Sequence, residues 1–312
     1  MSDLLRRYRR GATQLAIRHL INVTAPLPVG AQRSAARSLA ALAYRIPTAR
    51  RTVGENMRLA LGQDVPAQTV HLYFQHLGWF WSSALATFNR GFAATPVPTE
   101  VNFDQSISVL DEAAAEGNGV VLTAAHWSGH ELAGATINLR HPMVMLVRPA
   151  MTSEREARKL KWYRALGAEI VVRPSGTSTI KDAAAYLNVL RRGKMLAITP
   201  DLLADPEQGV ETFIFGRPAR LYGGAFALAI SARAPLIRLS FQWQHDSSLL
   251  LRFDRAPLPD AADRATAIRI AVQDWCRWFE DRLRANPENW SFWLDKRWSR
   301  FLRTTPRASG AA

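Results

Sequence analysis

Short apolar runs alternate with helical segments from Gly119 to the C-terminal part of the chain. The apolar runs predict strands at 120–124, 144–147, 170–172, 196–198, 236–240 and 249–253. Helices are predicted between several of them, at about 129–139, 153–166, 178–192 and 223–232. Strands that alternate with helices are typical of the α/β class. The pattern therefore predicts a mostly parallel sheet flanked by helices.

The N-terminal part of the chain has a helical pattern instead. Residues 3–24 predict a basic amphipathic helix with a narrow apolar face flanked by arginines. The face consists of Leu5, Tyr8, Ala12 and Leu15, and the flanking residues are Arg6, Arg7, Arg9 and Arg10. Such a helix can lie in a membrane interface, or it can pack on the core with its charged face in solvent. The pattern supports either interpretation.

Two further helical segments are predicted at 28–61, ending near Gly62, and at 66–92. The second contains an aromatic-rich stretch, 71–81, that carries no acidic residue, lysine or arginine. This composition fits an interfacial helix, a helix that lines an apolar groove, or an ordinary buried core helix. No apolar run reaches the roughly 20 residues of a membrane-spanning helix. No secretory signal is evident, because Arg18 and His19 interrupt the first apolar stretch.

The C-terminal part is rich in tryptophan and arginine, a composition typical of a membrane interface. Five of the ten tryptophans lie there, and they are Trp275, Trp278, Trp290, Trp293 and Trp298. We expect this segment to add apolar contact with a membrane. The chain as a whole is interpreted as one structural domain. Its parts are a helical membrane-associating region at 1–92, an α/β core at 93–304 and a disordered tail at 305–312.

Composition limits the partners and the compartment. The chain has 312 residues and 48% hydrophobic residues, enough for a sizeable core. Cys276 is the only cysteine, which favours a reducing compartment. The net charge of +14 has three explanations, which are a genome-wide arginine bias, nucleic-acid binding, or attraction to anionic lipid. The basic residues are dispersed and form no recognisable nucleic-acid motif, so anionic membrane lipid is the expected partner.

Four ionisable side chains each follow a predicted strand, and they are His126, Arg148, Arg173 and Asp201. Because parallel sheets bind ligands beyond the C-terminal ends of their strands, we expect these residues to share one site. Gly223 and Gly224 open a predicted helix, where backbone N–H groups could face an anion or an oxyanion.

His126 and Glu131 are the strongest candidates for catalysis. A histidine is a natural base near neutral pH, and a carboxylate behind it fixes the tautomer and stabilises the imidazolium. Such a pair suits the transfer of an acyl group to a hydroxyl. Two alternatives remain open. Ser128 and Glu131 have the spacing of a capping box, and His126 and His130 could ligate a metal, although no further histidine or cysteine lies nearby.

The chain resembles the lipid A biosynthesis lauroyl/myristoyl acyltransferase family, at motifs that occur in the same order over nearly the whole chain. These motifs are residues 51–61, His126 with Glu131, Arg148-Pro149, Thr199-Pro200-Asp201, 213–218 and the tryptophan-rich 286–298. Leu202 stands where the family usually has Gln. The N-terminus also lacks a clean spanning helix, as do members of the family that act on phosphatidylinositol mannosides.

The resemblance implies a glycerolipid acyltransferase-like fold and a peripheral or monotopic enzyme at the cytoplasmic face of the inner membrane. It implies transfer of a fatty acyl chain from an acyl carrier protein or coenzyme A thioester to a hydroxyl of a (glyco)lipid. No metal or other cofactor is implied. A phosphatidylinositol mannoside or a lysophospholipid is an alternative acceptor. The non-enzyme alternatives are a basic membrane-peripheral protein and a nucleic-acid-binding protein.

Within that resemblance, Arg148 and Arg217 are candidates to hold a phosphate of the donor or of an anionic acceptor, because guanidinium groups bind phosphate bidentately. The alternative is that they are ordinary surface arginines. Asp201 is expected to orient the acceptor or to pair with an arginine. Gly223 completes the set of predicted binding residues.

Overall fold

A computed structural model of the chain describes residues 18–173, 180–205 and 207–306. Most of the helix predicted at 3–24 therefore lies outside the described residues, as does the tail from residue 307. Within the described ranges, the strands are β1 Val101–Phe103, β2 Val120–Ala124, β3 Met143–Val147, β4 Glu169–Val172, β5 Met195–Ile198, β6 Val210–Ile214, β7 Arg217–Leu221, β8 Leu236–Trp243 and β9 Leu249–Ala256.

The described helices begin with α1, which covers 18–24. They continue with α2 Val29–Arg45, α3 Pro47–Leu61, α4 Ala67–Arg90, α5 Val97–Glu100, α6 Ile107–Ala115, α7 His130–Arg140, α8 Ser153–Ala165, α9 Ile180–Arg191, α10 Gly224–Ala232, α11 Arg264–Ala285 and α12 Lys296–Thr304. Two 3-10 turns, Pro287–Asn289 and Ser291–Leu294, join α11 to α12. The four helices predicted between strands correspond to α7, α8, α9 and α10.

The central sheet has the strand order β1-β9-β8-β2-β5-β3-β4. All its neighbouring pairs are parallel except β8 with β9. β2 is buried along its whole length, as expected of a central strand covered on both faces. β6 and β7 form a separate antiparallel hairpin. The predicted α/β class with a mostly parallel sheet flanked by helices is confirmed.

The predicted helical segment 28–61 is broken at Ile46. Proline at position 47 disfavours the helical conformation of the residue before it, and Ile46 is extended at φ −75° and ψ 111°. The second half then ends as predicted, with Gly62 at φ +75° as the left-handed C-cap. The predicted segment therefore consists of two helices, α2 and α3, divided at Ile46.

The aromatic-rich helix α4 is a core helix. Tyr73, Phe74, His76 and Trp79 are all at most 8% exposed. Gly78 lets α2 approach closely, because a Cβ there would lie 3.0 Å from the Cβ of Ala40. Of the three interpretations of residues 66–92, the buried core helix is the one that the structure supports.

The interpretation of the C-terminal tryptophans as a membrane-facing surface is wrong. All five are between 0 and 9% exposed. Trp290 and Trp298 pack edge to face on each other, Trp298 does so on Phe215 and Phe301, and Trp275 stacks on Phe279. Composition alone cannot distinguish this aromatic core from an interface, because both need large rings with one polar atom. In the part of the chain that the structure describes, no helix is long and apolar enough to cross a membrane.

Candidate active site

Three of the four predicted strand-end residues line one cavity, and the fourth, Asp201, is buried beside His126. His126, Arg148, Arg173 and Asp201 follow β2, β3, β4 and β5, which are neighbours in the sheet. His126, Arg148 and Arg173 line a cavity of about 800 Å³ at the C-terminal ends of these strands. Much of the wall is apolar, with contributions from Leu122, Met145, Val147, Leu187, Ala197 and Leu228. The cavity therefore offers polar groups at one part of its wall and room for an apolar chain beside them.

His126 is paired with Asp201. The ring Nδ1 lies 2.7 Å from Asp201 Oδ1, and the backbone N–H of His126 donates to Oδ2 at 2.8 Å. The Asp201 side chain is fully buried, whereas that of His126 is 20% exposed. Since Nδ1 faces the carboxylate, Nε2 is the nitrogen that can take a proton from a group in the cavity.

Asp201 keeps its charge although it is buried. Burial alone raises the pKa of a carboxyl group, but the His126 charge and hydrogen bonds from His126 and Trp290 hold the pKa of Asp201 below its usual range. Trp290 Nε1 donates to Oδ2 at 2.8 Å, and Trp298 Nε1 donates to the Asp201 carbonyl at 3.1 Å. Trp290 therefore holds the carboxylate that pairs with His126, and Trp298 holds the backbone of the same residue.

The loop that carries His126 is fixed by the C-terminal segment. Ser291 donates to the His126 carbonyl from both its N–H, at 2.9 Å, and its Oγ, at 2.6 Å. The N–H of Ser128 donates to the Asn289 carbonyl at 2.7 Å. Phe292 stacks on the His126 ring, with centroids 4.2 Å apart and planes 22° apart. The motif at 286–298 thus positions the histidine.

Glu131 does not occupy the position behind Nδ1 that the sequence predicted for it, because Asp201 is there. Its carboxylate accepts a hydrogen bond from the Tyr163 hydroxyl at 3.0 Å, and both residues line the cavity. Burial and the Glu131 charge raise the pKa of Tyr163, so the hydroxyl stays protonated and donates.

The capping-box alternative for Glu131 is not formed. Gly129 is the N-cap of α7, and no side chain caps that end of the helix. The Ser128 hydroxyl has no hydrogen-bond partner among the described residues. Gly129 takes φ +114°, a conformation that favours glycine. This turn brings Glu131 into the first helical turn, beside the cavity and not back onto its own backbone.

His130 is a second imidazole in the cavity wall. Its ring lies edge to face against His126 at 5.0 Å, and its Nδ1 lies 3.0 Å from the Trp127 carbonyl. Burial lowers the pKa of His130, which favours its neutral form. Nowhere in the described ranges do three or more histidine, cysteine, aspartate or glutamate side chains cluster in a way that could hold a metal ion.

Arg148 and Arg173 converge on one ring. Each guanidinium carbon lies 4.6 Å from the ring centroid of Tyr222. Lys159 Nζ donates to the Arg148 carbonyl at 2.6 Å, and Glu156 accepts from Lys159 and from the N–H of Ala150. This network fixes the chain on both sides of Pro149. The two arginines form a positively charged part of the cavity wall that attracts anions.

Arg217 lies away from this cluster. It is 6% exposed on the β6–β7 hairpin, where Nε donates to the Thr305 carbonyl at 2.8 Å and a terminal nitrogen donates to the Phe215 carbonyl at 3.0 Å. It is therefore not an ordinary surface arginine, and its bond to Thr305 holds the hairpin to the end of α12. The contact of Arg217 with a phosphate stays a prediction, and the location of Arg217 away from the cavity does not favour it.

Gly223 lies in the cavity wall at the start of α10. A Cβ at this position would approach Val210 Cγ2 at 2.7 Å and Ile268 Cγ2 at 2.9 Å. At Gly224 a Cβ would meet nothing within 4 Å. Only the first glycine is thus demanded by close packing, and it lets the β6 strand and α11 approach the start of the helix.

Comparison with protein families gives one finding. The model of a family described as "Bacterial lipid A biosynthesis acyltransferase" matches residues 3–300, nearly the whole chain. No curated protein sequence matches the chain.

Proposed function

Because this chain belongs to the bacterial lipid A biosynthesis acyltransferase family, we propose that it moves a fatty acyl chain from a thioester to a lipid hydroxyl with His126 as the base. Membership of the family makes the chain an acyltransferase with a lipid acceptor. The mechanism, the donor and the exact acceptor are the proposal. The observation that carries the mechanism is that His126, in the wall of a largely apolar cavity, pairs with the buried Asp201 carboxylate.

In the proposed reaction, the acceptor oxygen attacks the thioester carbonyl while its proton passes to Nε2 of His126. Asp201, bonded to Nδ1, stabilises the imidazolium that forms. The tetrahedral intermediate then collapses, its carbon–sulfur bond breaks, and the proton moves from His126 to the leaving thiolate. The products are an ester and a free thiol, and no acyl-enzyme is needed.

Glu131 supplies a second negative charge to the same wall. Its charge raises the pKa of His130, against the stronger effect of burial, and the His130 ring lies against that of His126. Tyr163 holds the carboxylate in place. We assign Glu131 a catalytic role, as an additional stabiliser of the positive charge that His126 acquires in the transition state.

The substrate is expected to span both kinds of cavity wall. The apolar part accepts the acyl chain, and Arg148 with Arg173 accepts a phosphate. Both acyl carrier protein and coenzyme A present the thioester on a phosphopantetheine arm, so either donor suits this charge. Gly223 offers a backbone N–H at the start of α10, where an oxyanion would be stabilised.

We expect the protein to bind peripherally to the cytoplasmic face of the inner membrane, with the lipid A precursor as acceptor. Arg6, Arg7, Arg9 and Arg10 would contribute about 1 kcal/mol each at an anionic surface. Replacing these four by Gln should reduce co-sedimentation with anionic vesicles, and raised salt should do the same. Binding that ignores lipid charge, salt and these substitutions would contradict the proposal.

The test of the function is turnover of a lauroyl thioester with a lipid acceptor by the wild type and by His126→Ala. We expect the variant to lose activity and to stay folded, with a lower melting temperature than the wild type because the buried Asp201 loses the His126 ring as its partner. Normal turnover in a folded variant would exclude His126 as the base. Mass spectrometry of lipids from cells with and without the gene would identify the acceptor, including a phosphatidylinositol mannoside or a lysophospholipid.

A further inference from the structure

One row of side chains crosses three neighbouring strands beneath the apolar part of the cavity. Leu122 on β2 is in register with Ala197 on β5, and Ala197 is in register with Met145 on β3. Residues in register on parallel strands point to the same face of the sheet, so these three side chains lie side by side. All three line the cavity, and they are called the inner row below.

The cavity extends along β2 from the base to the inner row. Ala124 and Leu122 both line it, and they lie on one face of the strand about 7 Å apart because side chains alternate between faces. His126 follows two residues after Ala124 and lines the same cavity. An acyl chain whose carbonyl group lies at His126 therefore has an apolar path along β2 toward the inner row.

The next row of the same sheet face belongs to the packed core. It consists of Val120, Met195 and Met143, which are paired in the same registers as the inner row. These three side chains are at most 2% exposed and contribute nothing to the cavity wall. On this face of the sheet, the inner row is therefore the end of the cavity.

Met145 ends against a glycine of the covering helix. Gly134 lies on α7 and lines the cavity as well. A Cβ at this position would lie 2.5 Å from Met145 Cε and 3.2 Å from Met143 Cε. The methyl group of Met145 thus occupies space that exists only because residue 134 has no side chain. Methionine is unbranched and flexible, so its methyl group can move if that space is lost.

We propose that Met145, packed against Gly134, closes the inner end of the cavity and sets the length of the acyl chain that the protein accepts. This inference rests on the proposed function. A chain that is too short leaves apolar wall without contact, and a chain that is too long must displace the Met145 side chain. Each buried methylene group favours binding by about fourfold, so a small change of room at this end alters the preferred chain.

The first experiment compares kcat/KM for acyl thioesters from decanoyl to stearoyl. Met145→Ala removes the part of the side chain that ends the cavity. We expect it to favour a chain two carbons longer than the one that the wild type prefers, by on the order of tenfold relative to the wild type. An unchanged order of chain lengths in this variant would overturn the proposal.

Met143→Ala is the matched control, because it removes the same side chain from the same strand one row deeper. This variant should melt at a lower temperature, since it leaves a cavity in the core, and should keep the wild-type order of chain lengths. If Met143→Ala shifted the preference as Met145→Ala does, the cavity would end at the deeper row and not at Met145.

Gly134→Ala should have the opposite effect. The added methyl group displaces Met145 Cε, and the core row below leaves only the cavity as free space. The variant should stay folded, because the displaced atom ends a flexible side chain and alanine favours a helix. We expect kcat/KM for the longest accepted chain to fall by about fourfold or more relative to shorter chains.

The double variant Gly134→Ala/Met145→Ala tests whether this effect passes through Met145. Residues in contact give non-additive changes, so Gly134→Ala should alter chain preference much less when Met145 is already alanine. Equal effects of Gly134→Ala in the two backgrounds would overturn the proposed role of the contact.

Thioether analogues of acyl-pantetheine, with alkyl chains from decyl to octadecyl, separate this inference from the proposed function. They cannot be cleaved, so their affinity in titration calorimetry reports the room for the chain without any turnover. Met145→Ala should shift the best-bound analogue to a longer chain, and an unchanged affinity profile would overturn the proposal. A wild type that transfers no acyl group would defeat the proposed function, whereas the shift in affinity would stand.

Discussion

The Asp201 carboxylate contacts His126 with both of its oxygens, one on the ring Nδ1 at 2.7 Å and one on the backbone N–H at 2.8 Å. One residue therefore fixes both the orientation of the imidazole and the loop from which it projects. Because the carboxylate is fully buried, its charge acts on the ring with little screening by water.

Asp201→Asn should lower kcat by on the order of 10³-fold or more, because a neutral amide no longer stabilises the imidazolium or selects its tautomer. Stability should fall as well, since the side chain accepts three hydrogen bonds. Turnover of a lauroyl thioester and a melting curve measure the two effects. Wild-type kcat in this variant would show that the pair is structural.

Glu131→Gln should lower activity by on the order of 10²-fold, the range of a group that assists proton transfer. Tyr163→Phe should cause a smaller loss, because it frees the carboxylate without removing its charge. A comparison of kcat for the two variants tests this order. If Glu131→Gln turned over normally while Tyr163→Phe did not, the carboxylate would merely anchor the tyrosine.

Trp290→Phe should reduce both stability and activity. It removes the donor to Asp201 Oδ2 and leaves a buried charge less well paired, at a cost of about 1–3 kcal/mol. Trp278→Phe is the control, because its Nε1 donates to Asp254, 2.9 Å away and outside the site. Both variants should melt earlier, but only Trp290→Phe should lose kcat. Equal kcat values in the two would separate Trp290 from the function of His126.

Gly223→Ala should destabilise the protein by about 1–3 kcal/mol, because the added methyl group meets Val210 and Ile268 below 3.0 Å. The strain should also disturb the start of α10 and lower turnover. Gly224→Ala meets no atom within 4 Å and should be neutral or slightly stabilising, since alanine favours a helix over glycine. Chemical denaturation measures the free energy of unfolding of both variants. A comparable loss of stability in Gly224→Ala would refute the prediction.

The stability of the fold should decrease in mild acid because of His76. Burial lowers the pKa of His76 to about 4, although its bond with Asn289 opposes this. The unfolded state thus binds the proton first, and stability is lost as pH falls from about 6.5 towards 4. The total is up to about 3 kcal/mol.

Denaturation of His76→Gln at a series of pH values tests this prediction, with His71→Gln as the control on the exposed side of the same helix. The pH dependence between 6.5 and 4 should become shallower in the first variant and stay unchanged in the second. Identical slopes in all three proteins would assign the acid sensitivity to other groups.

The sequence predicted the sheet well because its strands are short apolar runs bounded by helical segments. It also brought His126, Arg148 and Arg173 to one edge, since residues after neighbouring parallel strands must meet there. The prediction that Glu131 is the carboxylate paired with His126 was wrong for a related reason. Glu131 is near His126 in the sequence, but Asp201, 75 residues away, is at the end of the adjacent strand β5.

The tryptophans show what composition leaves undecided. An indole that spans a membrane interface and an indole that donates to a buried carboxylate have the same amphipathic character. Only the tertiary contacts of Trp290 and Trp298 with Asp201 distinguish the two.

The two hydrogen bonds from Ser291 to the His126 carbonyl affect the stage of protein synthesis at which the site can form. The two residues are 165 positions apart, so the histidine leaves the ribosome long before the segment that fixes its loop. A nascent or C-terminally shortened chain can build β2 and still lack an oriented base. The protein therefore becomes active only after its C-terminal segment has been synthesised and has folded, and an unfinished chain does not catalyse acyl transfer.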